Sequence, residues 1–142
     1  MATLELEKLT KRYAGVVSVD AVDLSVGHGE FVCLLGPSGC GKTTTLRMIA
    51  GLAEPDAGEI RVNKRVMSSA RAVIPPEQRN MSMIFQSYAV WPHMTVRENV
   101  AYGLKLKALP PSDKDARIAA LLEATQLAAL AERYPSELSG GQ

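Results

Sequence analysis

The stretch Gly36-Pro37-Ser38-Gly39-Cys40-Gly41-Lys42-Thr43 constrains this chain more than any other, because it fits GxxxxGK followed by Ser or Thr at every fixed position. Average residue usage produces that pattern by chance, in a chain of 142 residues, on the order of half a per cent of the time. Its surroundings suit it. Phe31-Val32-Cys33-Leu34-Leu35 is a short apolar run after the turn residues Gly27, His28 and Gly29, and predicts a buried strand. Lys42 to Leu52 carries Leu46, Ile49 and Ala50 on one face and ends at Gly51, which predicts a helix. Strand, glycine loop and helix, in that order, form the context in which such a loop holds phosphates.

The residue types follow from the ligand. A triphosphate concentrates negative charge on closely spaced oxygens, so its cradle must bring several N–H donors near without side chains in the way. Gly36, Gly39 and Gly41 can turn successive N–H groups inward as an anion nest, and the start of the following helix adds unpaired N–H groups and its dipole. Lys42 supplies a point charge for the β and γ phosphates, and the Thr43 hydroxyl a ligand for Mg²⁺.

The whole chain narrows the setting. Its length suits one domain with a real core. Sixteen basic residues against fifteen acidic leave a net charge of +1, which argues against a dedicated nucleic-acid surface. No apolar run approaches a membrane span, and Met1-Ala2-Thr3-Leu4-Glu5 lacks the basic and apolar regions of a signal peptide; the expectation is a soluble, cytoplasmic chain. Cys33 is expected to be a small core residue in the buried strand and Cys40 a tolerated residue of the phosphate loop, the alternative being a thiol-sensitive site that bound ATP would protect from alkylation.

Taken in order, Thr3 to Leu9 and Val17 to Val26 read as strands with one exposed face, separated by a polar turn, Lys11-Arg12-Tyr13-Ala14-Gly15. On spacing alone Tyr13 is an edge aromatic packing locally, with stacking on a base as the alternative. Glu54 to Gly58 is a turn, Glu59 to Val62 a strand, and the polar stretch to Asn80 contains the breaker Pro75-Pro76. Met81-Ser82-Met83-Ile84-Phe85 predicts another core strand. Gln86 follows where open α/β sheets place ligand contacts. Beyond it the pattern turns helical: Thr95-Val96-Arg97-Glu98 is a capping box opening a helix with Val96, Val100 and Leu104, and Ser112 to Asp115 opens a second bearing Ile118, Leu121, Leu122 and Thr125. Trp91 is read equally as buried packing or a partner surface, and His93 as a surface residue, since no Cys or His cluster supports a metal site. Leu138-Ser139-Gly140-Gly141-Gln142 is a second glycine-rich turn where a helix could start.

With both glycine elements in view, the chain resembles the N-terminal part of an ATP-binding cassette (ABC) ATPase subunit. Leu138 to Gln142 matches that family's LSGGQ signature, and Gly36 to Thr43 its phosphate loop. The resemblance implies an α/β P-loop NTPase core with an N-terminal antiparallel β subdomain and an α-helical subdomain, truncated here, divided as residues 1–86 and 87–142. It implies ATP and Mg²⁺ as ligands, with ATP held by Tyr13, Gly36, Ser38, Gly39, Cys40, Gly41, Lys42, Thr43 and Thr44. Tyr13 matches the aromatic that stacks on adenine. Gln86 matches the Mg²⁺-sensing glutamine that faces the membrane subunits, and shares the metal with Thr43. Leu138, Ser139, Gly140, Gly141 and Gln142 would close over ATP held by a second ATPase subunit in a head-to-tail dimer.

The partners implied are that second subunit and transmembrane permease subunits, with no nucleic acid, at the inner face of the cell membrane. Ser87-Tyr88-Ala89-Val90-Trp91-Pro92-His93-Met94-Thr95-Val96 and Glu98-Asn99-Val100 resemble importers of sugars, polyamines or ferric iron. The alternatives are an exporter ATPase and a soluble ABC protein of the translation-factor type; the short span between Gln86 and Leu138 disfavours repair proteins with their long coiled coil. The family's second acidic motif, catalytic Glu and switch His follow the signature. The 142 residues are therefore expected to bind nucleotide weakly, not to hydrolyse it, and to be marginally stable, with the strands before the phosphate loop and before Gln86 left with unpaired edges.

Overall fold

Alternating apolar residues in the first third of the chain form a long hairpin, β1 (Leu4–Tyr13) against β2 (Val16–Val26), closed by a turn at Ala14 and Gly15. The computed structural model describes residues 3–87 and 89–142, so Met1, Ala2 and Tyr88, the last within the importer-like segment, lie outside the described residues. The chain divides into two units, one ending at Ile84 and the other running from Phe85 to Gln142.

In the first unit the hairpin joins β3 (Ala57–Val62), β4 (Arg65–Ser69) and the two-residue β5 (Ala72–Val73) in an antiparallel sheet of order β2-β1-β3-β4-β5. Leu6 stands opposite both Leu24 and Ile60 in the ladders. Helix α1 (Lys42–Ala50) contributes Met48 to the core that Leu6, Leu9, Val19, Ile60, Val62 and Met67 form. Full burial of a residue such as Leu9 or Ile60 stabilises by about 1.5–3 kcal/mol. The expected helical face is rotated: Thr45 and Met48 are buried, whereas Leu46 is exposed.

Three expectations fail here. Residues 31–35 are not a buried strand: they carry no regular secondary structure, Phe31 and Leu35 are each 90% exposed, and Cys33 is exposed. Residues 81–85 likewise form no strand, and Ile84 is 97% exposed. Both runs have strand-like sequences, yet no described residue offers them a ladder partner, and a strand is defined by its partners' hydrogen bonds. The third correction is local. Lys11, Arg12 and Tyr13 belong to β1, with Arg12 opposite Val17 and Tyr13 opposite Val16, so the turn shrinks to its last two residues. Strand β4 was hidden by its polar composition.

The second unit is built on α2 (Val96–Lys105) and α3 (Pro111–Ala124). The capping box forms as expected: the Glu98 N–H donates to Thr95 Oγ1 at 3.2 Å and the Thr95 N–H to Glu98 Oε2 at 2.8 Å. Val96, Ile118, Leu122 and Ala131 make its core, with Val100, Leu104 and Leu138 packed against them. Leu121 stays half exposed. No helix of the described residues is long and apolar enough to cross a membrane.

Candidate functional site

The glycine loop packs directly on the hairpin. Gly41, the N-cap of α1, has φ +91°, and a Cβ there would lie 2.3 Å from the Ser18 carbonyl oxygen of β2, so both backbone angle and space require glycine. Thr45 anchors the first turn from inside: its N–H and hydroxyl both donate to the Gly41 carbonyl, at 2.8 and 3.0 Å. The hydroxyls of Ser18 and Thr44 meet at 3.1 Å and tie the turn to β2. No acidic residue occupies the first turn of α1, so the positive end of its dipole is uncompensated.

The Lys42 ammonium folds back across the loop, donating to the carbonyls of Gly36 at 2.8 Å and Pro37 at 2.6 Å and to Cys40 Sγ at 3.3 Å. The first two partners are neutral carbonyls. No carboxylate pairs with Lys42 among the described residues, which leaves a full positive charge inside the loop. Nor does a described residue accept from the N–H groups of Gly39, Gly41, Lys42 or Thr43. Unspent donors around an unneutralised cation suit a polyanion. Ser38 and Thr43 are exposed beside them. Loop and hairpin together wall a cleft of about 530 Å³ that Val17, Ser18, Asp20, Cys40, Gly41 and Lys42 help to line.

Tyr13 ends β1 opposite Val16, and its neighbour Arg12 pairs with Val17, a residue that lines the cleft. Its ring is 48% exposed, and the Lys11 ammonium lies 5.4 Å from the ring centroid. Lys11 in turn contacts Asp56 Oδ1 at 3.1 Å, while the Arg12 N–H donates to Asp56 Oδ2 at 2.6 Å. These two bonds, the backbone one foremost, hold the Asp56 carboxyl below its ordinary range.

Behind the loop, the other end of α1 is fixed by a residue the sequence reading passed over. Arg79, 3% exposed, donates to the carbonyls of Met48 at 3.1 Å and Ile49 at 2.8 Å, to those of Met67 and Ile74, and to the Ser68 hydroxyl. A cation on the last carbonyls of a helix opposes the negative end of its dipole. Burial pulls the guanidinium below its usual pKa. No periodicity marks such a residue, since its partners are spread from position 48 to 74.

In the second unit Gln86 is exposed in a bend, whereas Thr43 belongs to the first unit. Asn99 clamps the segment before α2, accepting the Trp91 N–H at 2.8 Å and donating to the carbonyls of Trp91, Met94 and Thr95. Trp91 stacks on Tyr102 with centroids 4.1 Å apart and remains 38% exposed, so packing and a free face coexist. His93 is exposed. Leu138 anchors the last glycine element in the helical core, and a tight turn follows in which the Ser139 N–H donates to Gln142 Oε1 and the Gln142 N–H to the Ser139 carbonyl, both at 2.9 Å. Ser139, Gly140 and Gly141 are exposed on it.

The profile of the family described as ABC transporter matches residues 19–142. A spermidine/putrescine import ATP-binding protein of Thermobifida fusca is 47% identical over 98% of this chain and 36% of its own length. An sn-glycerol-3-phosphate import ATP-binding protein of Ralstonia nicotianae is 46% identical over the whole chain and 38% of its own length. A trehalose/maltose import ATP-binding protein of Thermococcus litoralis is 46% identical over the whole chain and 39% of its own length. The chain thus spans under two fifths of the length of each of these three relatives.

Proposed function

The chain belongs to the ABC transporter family, and we propose on that footing that it is the nucleotide-binding, signature-bearing part of an ATPase subunit that couples ATP binding and hydrolysis to solute import. The observation that carries this reading is the Lys42 ammonium, unneutralised within a ring of unspent backbone donors at the start of α1. Phosphate oxygens would exchange for the carbonyl partners of Lys42 and gain charge-assisted hydrogen bonds. Ser38, Gly39, Cys40, Gly41, Thr43 and Thr44 would surround the phosphates, Tyr13 would meet the base, and the Thr43 hydroxyl would be a ligand for Mg²⁺.

The finer organisation belongs to the same proposal. Residues 1–86 act as β subdomain and phosphate-loop core, residues 87–142 as helical subdomain. A second ATPase subunit pairs head to tail, so that Ser139, Gly140 and Gly141 of one close over nucleotide on the other. Their exposure on a turn anchored by Leu138 supports that reading. Permease subunits at the inner face of the membrane receive the movement beside Gln86. Identity is nearly constant, 46–47%, across relatives named for a polyamine, a glycerol phosphate and a disaccharide. Solute choice accordingly lies outside the matched segment.

The test is direct titration with ATP and Mg²⁺. Lys42→Ala is expected to weaken binding tenfold or more, the size of a lost hydrogen bond between charged groups, while leaving the thermal melt unchanged. Equal affinity in the two proteins would sink the assignment of this loop.

A further inference from the structure

We propose that Lys11 and Asp56 are positioning residues for Tyr13, holding its ring so that one face is taken by the Lys11 ammonium and the other is left for the base of a bound nucleotide. This rests on the stacking role proposed above for Tyr13. Lys11 and Tyr13 are two apart on β1, and alternate residues of a strand share a face. The ammonium lies 5.4 Å from the ring centroid, within reach of a cation–π interaction.

A lysine on an exposed strand end ordinarily samples many rotamers. Here it does not: the Lys11 side chain is only 15% exposed and its ammonium is tethered to Asp56 Oδ1 at 3.1 Å. Asp56 is fixed from three directions. Its Oδ2 takes the Arg12 N–H at 2.6 Å, its own N–H donates to the Thr10 carbonyl at 2.9 Å, and the next residue, Ala57, pairs with Thr10 in the β1–β3 ladder. Asp56 therefore bonds to the residues on both sides of Lys11, to Thr10 through its N–H and to Arg12 through its carboxylate, and the same carboxylate presents Lys11 to the ring. Asp56 also ends the connection that leaves the far end of α1, the helix whose start carries the phosphate loop. Fixing the ring beforehand removes an ordering cost that binding would otherwise bear.

Inorganic tripolyphosphate carries the phosphates without a base, which makes the ratio of ATP to tripolyphosphate affinity the informative quantity. Titrated into the 142-residue chain with Mg²⁺, Lys11→Met and Asp56→Asn are expected to weaken ATP about two- to fivefold and to leave tripolyphosphate unchanged. Lys11→Arg is expected to retain the wild-type ratio. General unfolding weakens both ligands together, so an equal loss for both overturns the proposal. Tyr13→Ala separates the two readings. If it leaves the ratio unchanged, stacking itself fails; if it lowers the ratio and neither Lys11→Met nor Asp56→Asn does, only the positioning role is lost. Proton NMR checks the contact without nucleotide: the Lys11 ε-methylene is expected upfield from the ring current and displaced back in Asp56→Asn, and an unmoved signal contradicts the tether.

Discussion

Residues 57–62 and 31–35 are both short and bounded by turn residues, and the second is the more apolar, since the first carries Glu59 and Arg61, yet Ile60 in the first is fully buried and Phe31 in the second is 90% exposed. The difference is not hydrophobicity. Strand β3 has β1 on one side and β4 on the other, and its entry is pinned when Asp56 reaches across to Arg12 and Lys11. Before residues 31–35 the comparable device among the described residues is Glu30, whose carboxylate accepts the Gly27 N–H at 2.6 Å and merely closes a local turn. An apolar run becomes a strand when backbone partners stand on its flanks; the pattern alone marks a candidate.

The sharpest way to break this comparison is to truncate one large side chain in each segment. Ile60→Ala is expected to cost about 2–5 kcal/mol in urea unfolding, the range for emptying a close-packed core site. Phe31→Ala is expected to fall within about 0.5 kcal/mol of wild type, as exposed substitutions do. Equal costs would mean that residues 31–35 are packed in solution and that the contrast is false.

A smaller effect is expected where α1 ends. That helix follows the unpaired segment and the phosphate loop, so its placement depends on its far end. Gly51 has φ +81°, and a Cβ there would lie 2.4 Å from Arg79 Nε, within a guanidinium that five acceptors hold in place. Gly51→Ala combines a left-handed backbone angle with displacement of Arg79, and is expected to destabilise by about 1–3 kcal/mol. Urea unfolding measures it. A neutral result would show that α1 is placed without the Arg79 clamp.

Legibility in the sequence follows the same division between local and distant causes. The phosphate loop was legible because glycine, lysine and threonine act within eight consecutive positions, and α2 because Thr95 and Glu98 close a box across one turn. Strand β4 was not: Arg65-Val66-Met67-Ser68-Ser69 looks polar, and Ser68 is buried only because Arg79 donates to it. Residues 81–85 misled as residues 31–35 did. Tyr13 gained a role through resemblance alone, and its neighbours Lys11 and Asp56 could not be joined to it before the 45-residue separation was closed by the β1–β3 ladder.

The smallest expected effect tests the pin that distinguishes the two segments. The Asp56 carboxyl is held below its ordinary pKa of 3.8 by the Arg12 N–H and the Lys11 ammonium. A carboxylate whose pKa is lower folded than unfolded binds fewer protons in the folded state, so its contribution to stability is full above the unfolded value and disappears as pH falls through the folded one. Asp23 is lowered in the same way by Lys8, so acid destabilisation of the wild type alone does not isolate Asp56. The difference in melting temperature between wild type and Asp56→Asn does: it is expected to be small, constant well above the ordinary carboxyl value of 3.8, and to vanish as pH falls through the lowered folded value. Added salt is expected to shrink it, because the Lys11 contact is partly exposed, without abolishing it, because the Arg12 N–H remains. A difference that does not shrink as the pH is lowered below 3.8 would show that the carboxylate does not pin β3, and the contrast with residues 31–35 would then rest on ladder partners alone.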